Sequence, residues 1–123
     1  MRGMLALMAT SAIMFGGCHR VADKMADAEH DAVASLPSGS TFLDRHVTSE
    51  SRLSHYRLSQ NPDEAVAYVT ARLKAQHRFR GAGDLSGVDE IGLAEPEVTT
   101  MRFYRVPAPA SGTNLEIQVR HET

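Results

Sequence analysis

Apolar and polar residues alternate cleanly in two segments near the C-terminal end of the chain. In residues 115–121 the aliphatic Leu115, Ile117 and Val119 alternate with polar side chains, and residues 99–107 also alternate and are rich in residues that favour strands. Successive side chains of a strand point to opposite faces, so a period of two predicts strands with one buried face. The turn-rich stretch 107–114 between them predicts an antiparallel hairpin.

The clearest helix pattern begins at Asn61. Apolar residues recur there at helical spacing: Ala65, Val66, Val69 and Leu73. Asn61 is a good N-cap, and Pro62 suits the first helical position because it has no N–H to leave unpaired. Asp63 and Glu64 place negative charge at the positive end of the helix dipole. The pattern predicts a helix over residues 61–76 with one buried face.

The remaining segments complete a small predicted domain. Residues 51–59 indicate a strand, and a short strand around Phe79 leads into a glycine-rich loop that runs through Pro96. The helix would bury Val69 and Leu73 against the aliphatic face of the hairpin. The expected fold class is therefore α+β, with one helix packed on a small antiparallel sheet.

Residues 19–36 carry a thin apolar stripe at spacings of three or four. Its members are Val21, Met25, Ala28, Ala32 and Leu36. An alanine-rich, charged helix of this kind has only marginal stability alone. The segment either docks on the domain or forms a loose tether, and the tether is favoured. The stretch 37–41, PSGST, ends whatever precedes it.

The N-terminus has the layout of an export signal. Arg2 is followed by an uncharged apolar stretch, then by Phe15, Gly16, Gly17 and the single cysteine, Cys18. The stretch is too short for a comfortable transmembrane helix. This order resembles a bacterial lipoprotein signal peptide with its lipobox, with Phe15 in place of the usual leucine.

The lipoprotein resemblance implies a lipid anchor. Diacylglycerol would be added to the Cys18 thiol, the signal would be removed, and the acylated cysteine would become the first residue. His19 after the cysteine resembles the default sorted to the outer membrane, facing the periplasm, in a host with two membranes. The expected organisation is a signal peptide over 1–17, a lipidated tether over 18–48 and an α+β domain over 49–123.

A second, looser resemblance concerns the stretch YRLSQNPDEAVAYVTARL. It is similar to small domains of uncharacterised secreted bacterial proteins, in which a strand leads into a helix capped by Pro-Asp-Glu. The resemblance implies a fold class and no activity.

Composition narrows the function classes. The chain has 123 residues, enough for one modest domain, with 42% hydrophobic and 23% charged residues. Its formal net charge is −2, so there is no basic excess to neutralise phosphates, and nucleic-acid binding has little electrostatic support. A single cysteine cannot form a disulfide within the chain.

No spacing typical of catalysis or cofactor binding is present. The six histidines lack metal-ligand spacing, the glycines after Arg80 do not match a phosphate-binding loop, and there is no Gly-x-Ser-x-Gly motif. The acidic pairs at 89–90 and 95–97 fit a solvated loop better than a catalytic carboxylate pair. We therefore expect a protein that is not an enzyme and has no cofactor.

Four residues on the hairpin strands suggest a binding face. Arg102, Tyr104, Arg105 and Arg120 would line an exposed sheet surface, and arginine and tyrosine are enriched in protein interfaces. We expect a lipid-anchored envelope protein that acts as a binding or assembly module for another envelope component. The alternative is a periplasmic inhibitor or immunity-type lipoprotein directed against a toxin or hydrolase.

Overall fold

The chain folds into an antiparallel sheet with two helices packed on one of its faces. The computed structural model describes residues 21–94 and 98–121, and the α+β fold class is as predicted. In chain order the elements are α1 (residues 21–33), β1 (Thr41–Val47), β2 (Ser51–Leu58), α2 (Pro62–Ala75), β3 (Phe79–Asp84), β4 (Asp89–Leu93), β5 (Val98–Arg105) and β6 (Thr113–Arg120).

The order of strands across the sheet is β1-β2-β6-β5-β4-β3. Every neighbouring pair is antiparallel. The predicted hairpin of β5 and β6 is confirmed, and β6 also pairs with β2 along its whole length. Helix α2 joins β2 to β3, which lies at the far edge of the sheet. Strands β1 and β2 therefore form one half of the sheet and β3, β4 and β5 the other, and β6 lies between the two halves.

Helix α2 begins and packs as its sequence predicts. The Asn61 side chain accepts a hydrogen bond from the Glu64 backbone N–H at 2.9 Å. Ala65, Val69 and Leu73 are fully buried. They belong to one hydrophobic core with sheet residues that include Leu58, Ile91, Met101, Phe103, Leu115 and Ile117.

Helix α1 is docked on the same face of the sheet. The predicted stripe is buried, from Met25 through Ala28 and Ala32 to Leu36, and all four join the common core. The sequence pattern favours a tether here, because so thin a stripe is weak in isolation. The structure differs because the sheet supplies the apolar surface that covers it.

Two strands lie where the sequence indicates no strand. The edge strand β1 falls within the expected tether, and β4 falls within the expected loop before Pro96. The predicted short strand around Phe79 is present as β3 and extends through Gly81 and Gly83. The folded unit therefore includes α1 and β1 in addition to the segment from residue 49 onward.

Two sequence predictions fall outside the described residues: the lipidation site at Cys18 with its signal peptide, and the acidic residues at 95–97. Within residues 21–94 and 98–121, neither helix is long and apolar enough to cross a membrane.

Candidate functional site

The face of the sheet opposite the helices is built from the polar positions of the strands. In β6, for example, half-buried residues alternate with the buried Leu115, Ile117 and Val119. We call this side the open face. Its strand residues include Asp44, His46, Leu53, His55, Arg57, Arg80, Glu90, Gly92, Val98, Thr100, Arg102, Tyr104, Asn114, Glu116, Gln118 and Arg120.

Five charged side chains form an unbroken row across the open face, which we call the charge ladder. Asp44 and Glu116 flank His55, one at each ring nitrogen, and His55 Nε2 lies 3.2 Å from Glu116 Oε2. Arg102 Nη1 donates to Glu116 Oε1 at 3.1 Å, and Arg102 Nε donates to Glu90 Oε2 at 2.8 Å. The ladder links five of the six strands, from β1 to β4.

The ladder favours the charged form of its histidine. The hydrogen bond with Asp44 raises the pKa of His55 above its ordinary value of 6.5, partial burial lowers it, and the hydrogen bond with Glu116 raises it further. An imidazolium can donate from both ring nitrogens, whereas a neutral ring donates from only one. Two carboxylates on opposite sides of one ring therefore favour protonation.

The Arg102 guanidinium is already paired with two carboxylates of the ladder. Its hydrogen bond to Glu90 raises its pKa, and Glu116 adds to the effect. Bound between two carboxylates, this guanidinium is a rigid part of the sheet surface. A partner could form an ion pair with Arg102 only by displacing one of those carboxylates.

Three other arginines, Arg57, Arg80 and Arg120, lie on the open face. Arg57 donates to the Asn114 side chain at 3.4 Å, and Arg120 is exposed at the end of β6. A Cβ atom on Gly92 would lie 3.0 Å from Nε of Arg80, so that guanidinium lies over the bare glycine. Among the described residues, no ion pair involves any of these three arginines.

The structure brings together three of the four residues predicted to form a binding face. Arg102, Tyr104 and Arg120 share the open face. Arg105 occupies the alternate position in β5, in line with the buried Met101 and Phe103, and is exposed at the strand end.

A second polar cluster joins α1 to the sheet, and the sequence pattern does not indicate it. Glu29 is 4% exposed. Its carboxylate accepts from Nε of Arg45 at 3.0 Å, lies 3.4 Å from Nε of Arg52 and accepts from the Tyr56 hydroxyl at 3.4 Å. The pairing raises the pKa of Arg45, and burial raises the pKa of Tyr56. We call this the Glu29 cluster, and it fixes α1 against β1 and β2.

The edge strand β1 exposes apolar side chains. Phe42, Leu43 and Val47 are each about half exposed, between 47% and 51%. A bulge at Leu43 interrupts the pairing of β1 with β2. Phe42 packs edge-on against Tyr56, and the Arg45 guanidinium lies 4.5 Å from the Phe42 ring centroid. The bulge and the neighbouring charges limit pairing of this edge with other chains.

The described ranges contain no group of three or more His, Cys, Asp or Glu side chains placed to hold a metal ion. No protein-family model, curated protein or solved structure matches this chain.

Proposed function

We propose that this protein is a lipid-anchored component of the bacterial cell envelope whose domain binds another envelope protein through the open face. The lipid anchor is proposed from the sequence around Cys18. The binding role is proposed from the structure, and the observation behind it is the arrangement of charge on the open face.

The open face is suited to an acidic partner. The strands carry three carboxylates on this side, Asp44, Glu90 and Glu116, and four arginines. All three carboxylates are already ion-paired within the ladder. Arg57, Arg80 and Arg120 remain for a partner. Arginines that already lie against a rigid surface lose little freedom on binding, and they pair well with carboxylates.

Tyr104 supplies the apolar contact that such an interface needs. It is half-buried on β5, beside Asn114 and within the same row as Arg57. Tyrosine and arginine dominate the energy of many protein interfaces, because each combines a large apolar area with a polar group. The ladder forms the adjacent row of the same face and would border the contact.

Site-specific photo-cross-linking in the native host tests this proposal. A benzoylphenylalanine would replace Tyr104 on the open face or, as a matched control, Tyr68, which is 43% exposed on α2. We expect Tyr104 to capture an acidic envelope protein that Tyr68 does not. Arg57→Glu and Arg120→Glu should reduce the capture, whereas Arg105→Glu should not.

The outcomes separate the parts of the proposal. Equal capture at positions 104 and 68, or capture that is insensitive to Arg57→Glu and Arg120→Glu, would exclude the open face. A captured toxin or hydrolase would favour the inhibitor role over an assembly role. The intact mass of the purified protein, beside Cys18→Ala, reports the acyl chains directly, and an unacylated wild-type mass would exclude the lipid anchor.

A further inference from the structure

The docked position of α1 determines how far the domain can lie from a lipid attached at Cys18. Val21 is half-buried and packs against the core. With Ala22 and Met25 it lines a depression of about 300 Å³, whose other wall is formed by Thr48, Ser49 and His121. We call the end of the domain formed by Val21, Ala22, Thr48, Ser49 and His121 the N-terminal pole.

Only three residue steps separate Cys18 from Val21. Consecutive Cα atoms advance by at most about 3.6 Å in an extended chain, so the two Cα atoms lie within roughly 11 Å of each other. An acylated cysteine lies at the level of the lipid headgroups, because its acyl chains are in the hydrocarbon core. A longer reach would require α1 to leave the sheet and expose Met25, Ala28 and Ala32.

We infer that the N-terminal pole rests directly on the phospholipid headgroups, so that the strands stand on end above the membrane. This inference rests on the lipid anchor proposed above. The polar and small side chains at the pole, Thr48, Ser49 and His121, are suited to a hydrated headgroup layer. The turns after β3 and after β5 lie at the opposite end, roughly 25 Å away for an eight-residue strand.

The orientation selects the class of partner. With the strands perpendicular to the membrane, the open face points in a direction parallel to the membrane surface. A partner that binds Tyr104 and Arg57 must then stand beside this protein on the same membrane. A partner fixed further away, such as the cell wall, is out of reach while α1 stays docked.

Headgroup quenching on vesicles tests the orientation. The full-length acylated protein would be placed in vesicles of phosphatidylethanolamine and phosphatidylglycerol that carry a headgroup spin label. One fluorophore would be attached at Ser49→Cys or at Ser111→Cys, both exposed positions at opposite ends of the domain. Acylation occupies the Cys18 thiol, so the introduced cysteine is the one that is labelled.

We expect quenching at position 49 to be several times stronger than at position 111. A flexible insert of about 20 residues between Arg20 and Val21 should reduce the quenching at position 49 to the level at position 111. Equal quenching at both positions in the acylated protein without the insert would overturn the orientation and leave the lipid anchor intact. An unacylated mass would overturn both.

Discussion

Glu29 is a charged residue in the core-facing stripe of α1. Its neighbours in the stripe, Met25, Ala28 and Ala32, are buried and apolar, while its carboxylate meets Arg45 and Arg52. Burying a carboxylate is costly unless it is paired and hydrogen-bonded. Its partners lie 16 and 23 positions further along the chain, which is why the sequence alone gives no sign of this cluster.

Replacing Glu29 should destabilise the fold. In Glu29→Gln two guanidinium groups lose their counter-charge, and we expect the free energy of unfolding to fall by about 2–3 kcal/mol. The value is below that of a fully buried pair because the side chains of Arg45 and Arg52 are 29% and 19% exposed and keep some contact with water. Chemical denaturation measures it. The control Glu64→Gln, on the exposed first turn of α2, should cost less than about 1 kcal/mol, and an equal loss in both variants would contradict the structure.

His55 makes the open face sensitive to pH. Because the folded-state pKa lies above the unfolded value of about 6.5, the interaction with Asp44 and Glu116 stabilises the fold fully below that pH. The contribution is lost as the pH rises through the raised pKa. Above that point the three carboxylates of the ladder outnumber its positive charges by two, whereas the excess is one while His55 is charged.

Titration of the His55 ring by NMR should show the raised pKa directly. Asp44→Asn should lower this pKa more than Glu116→Gln, since the hydrogen bond with Asp44 is the larger cause. The decisive result is which of the two substitutions lowers the His55 pKa further. If neither substitution moves the His55 pKa, the charge ladder is not formed in solution.

The connection between β5 and β6 depends on one glycine. Gly112 has φ of 148°, and a Cβ atom there would lie 2.7 Å from the backbone oxygen of Leu58. The turn passes directly over the end of β2, so both the backbone conformation and the space exclude a side chain.

Gly112→Ala should therefore cost about 2–3 kcal/mol of stability, through backbone strain and the contact with Leu58. Gly83→Ala is the matched control, because nothing lies within 4 Å of its Cβ position. Thermal unfolding of the two variants gives the comparison. Similar melting temperatures would show that the turn is not packed against β2.

Helix α1 is an integral element of the domain, because Met25, Ala28 and Ala32 belong to the common core. Ala32→Glu would place a carboxylate at a fully buried position and should destabilise the protein by more than about 3 kcal/mol. Ala22→Glu, on the exposed side of the same helix, should have little effect. Denaturation of both variants separates a docked helix from a loose tether, for which neither substitution would matter.

The elements differ in how far the sequence predicts them, and burial explains the difference. Helix α2 and strands β5 and β6 each bury one face, so their apolar residues recur with a helical or alternating period. Strand β1 is exposed at every position and contains a bulge at Leu43, so it has no period to recognise. Strand β4 buries Ile91, Gly92 and Leu93 in succession, which resembles neither pattern.

At the scale of the whole molecule, the charge ladder arises from strand order. Alternation in β5 and β6 indicates that Arg102 and Glu116 occupy polar positions, whereas His55 and Arg57 blur the alternation of β2. The contact of His55 and Arg102 with Glu116 depends on β6 lying between β2 and β5, and that arrangement follows from long-range packing. The sequence predicts an exposed face with arginines. The strand order then places one of them, Arg102, between Glu90 and Glu116 in the ladder.

The central place of β6 also governs when the fold can form. Before β6 is present, the chain holds two separate ribbons, β1–β2 and β3–β4–β5, and neither has a complete core. The decisive pairing joins residues about 60 positions apart, such as Ser54 with Ile117, and such distant pairing is slow. The chain therefore cannot complete its core until Thr113–Arg120 is available to pair with β2 on one side and β5 on the other.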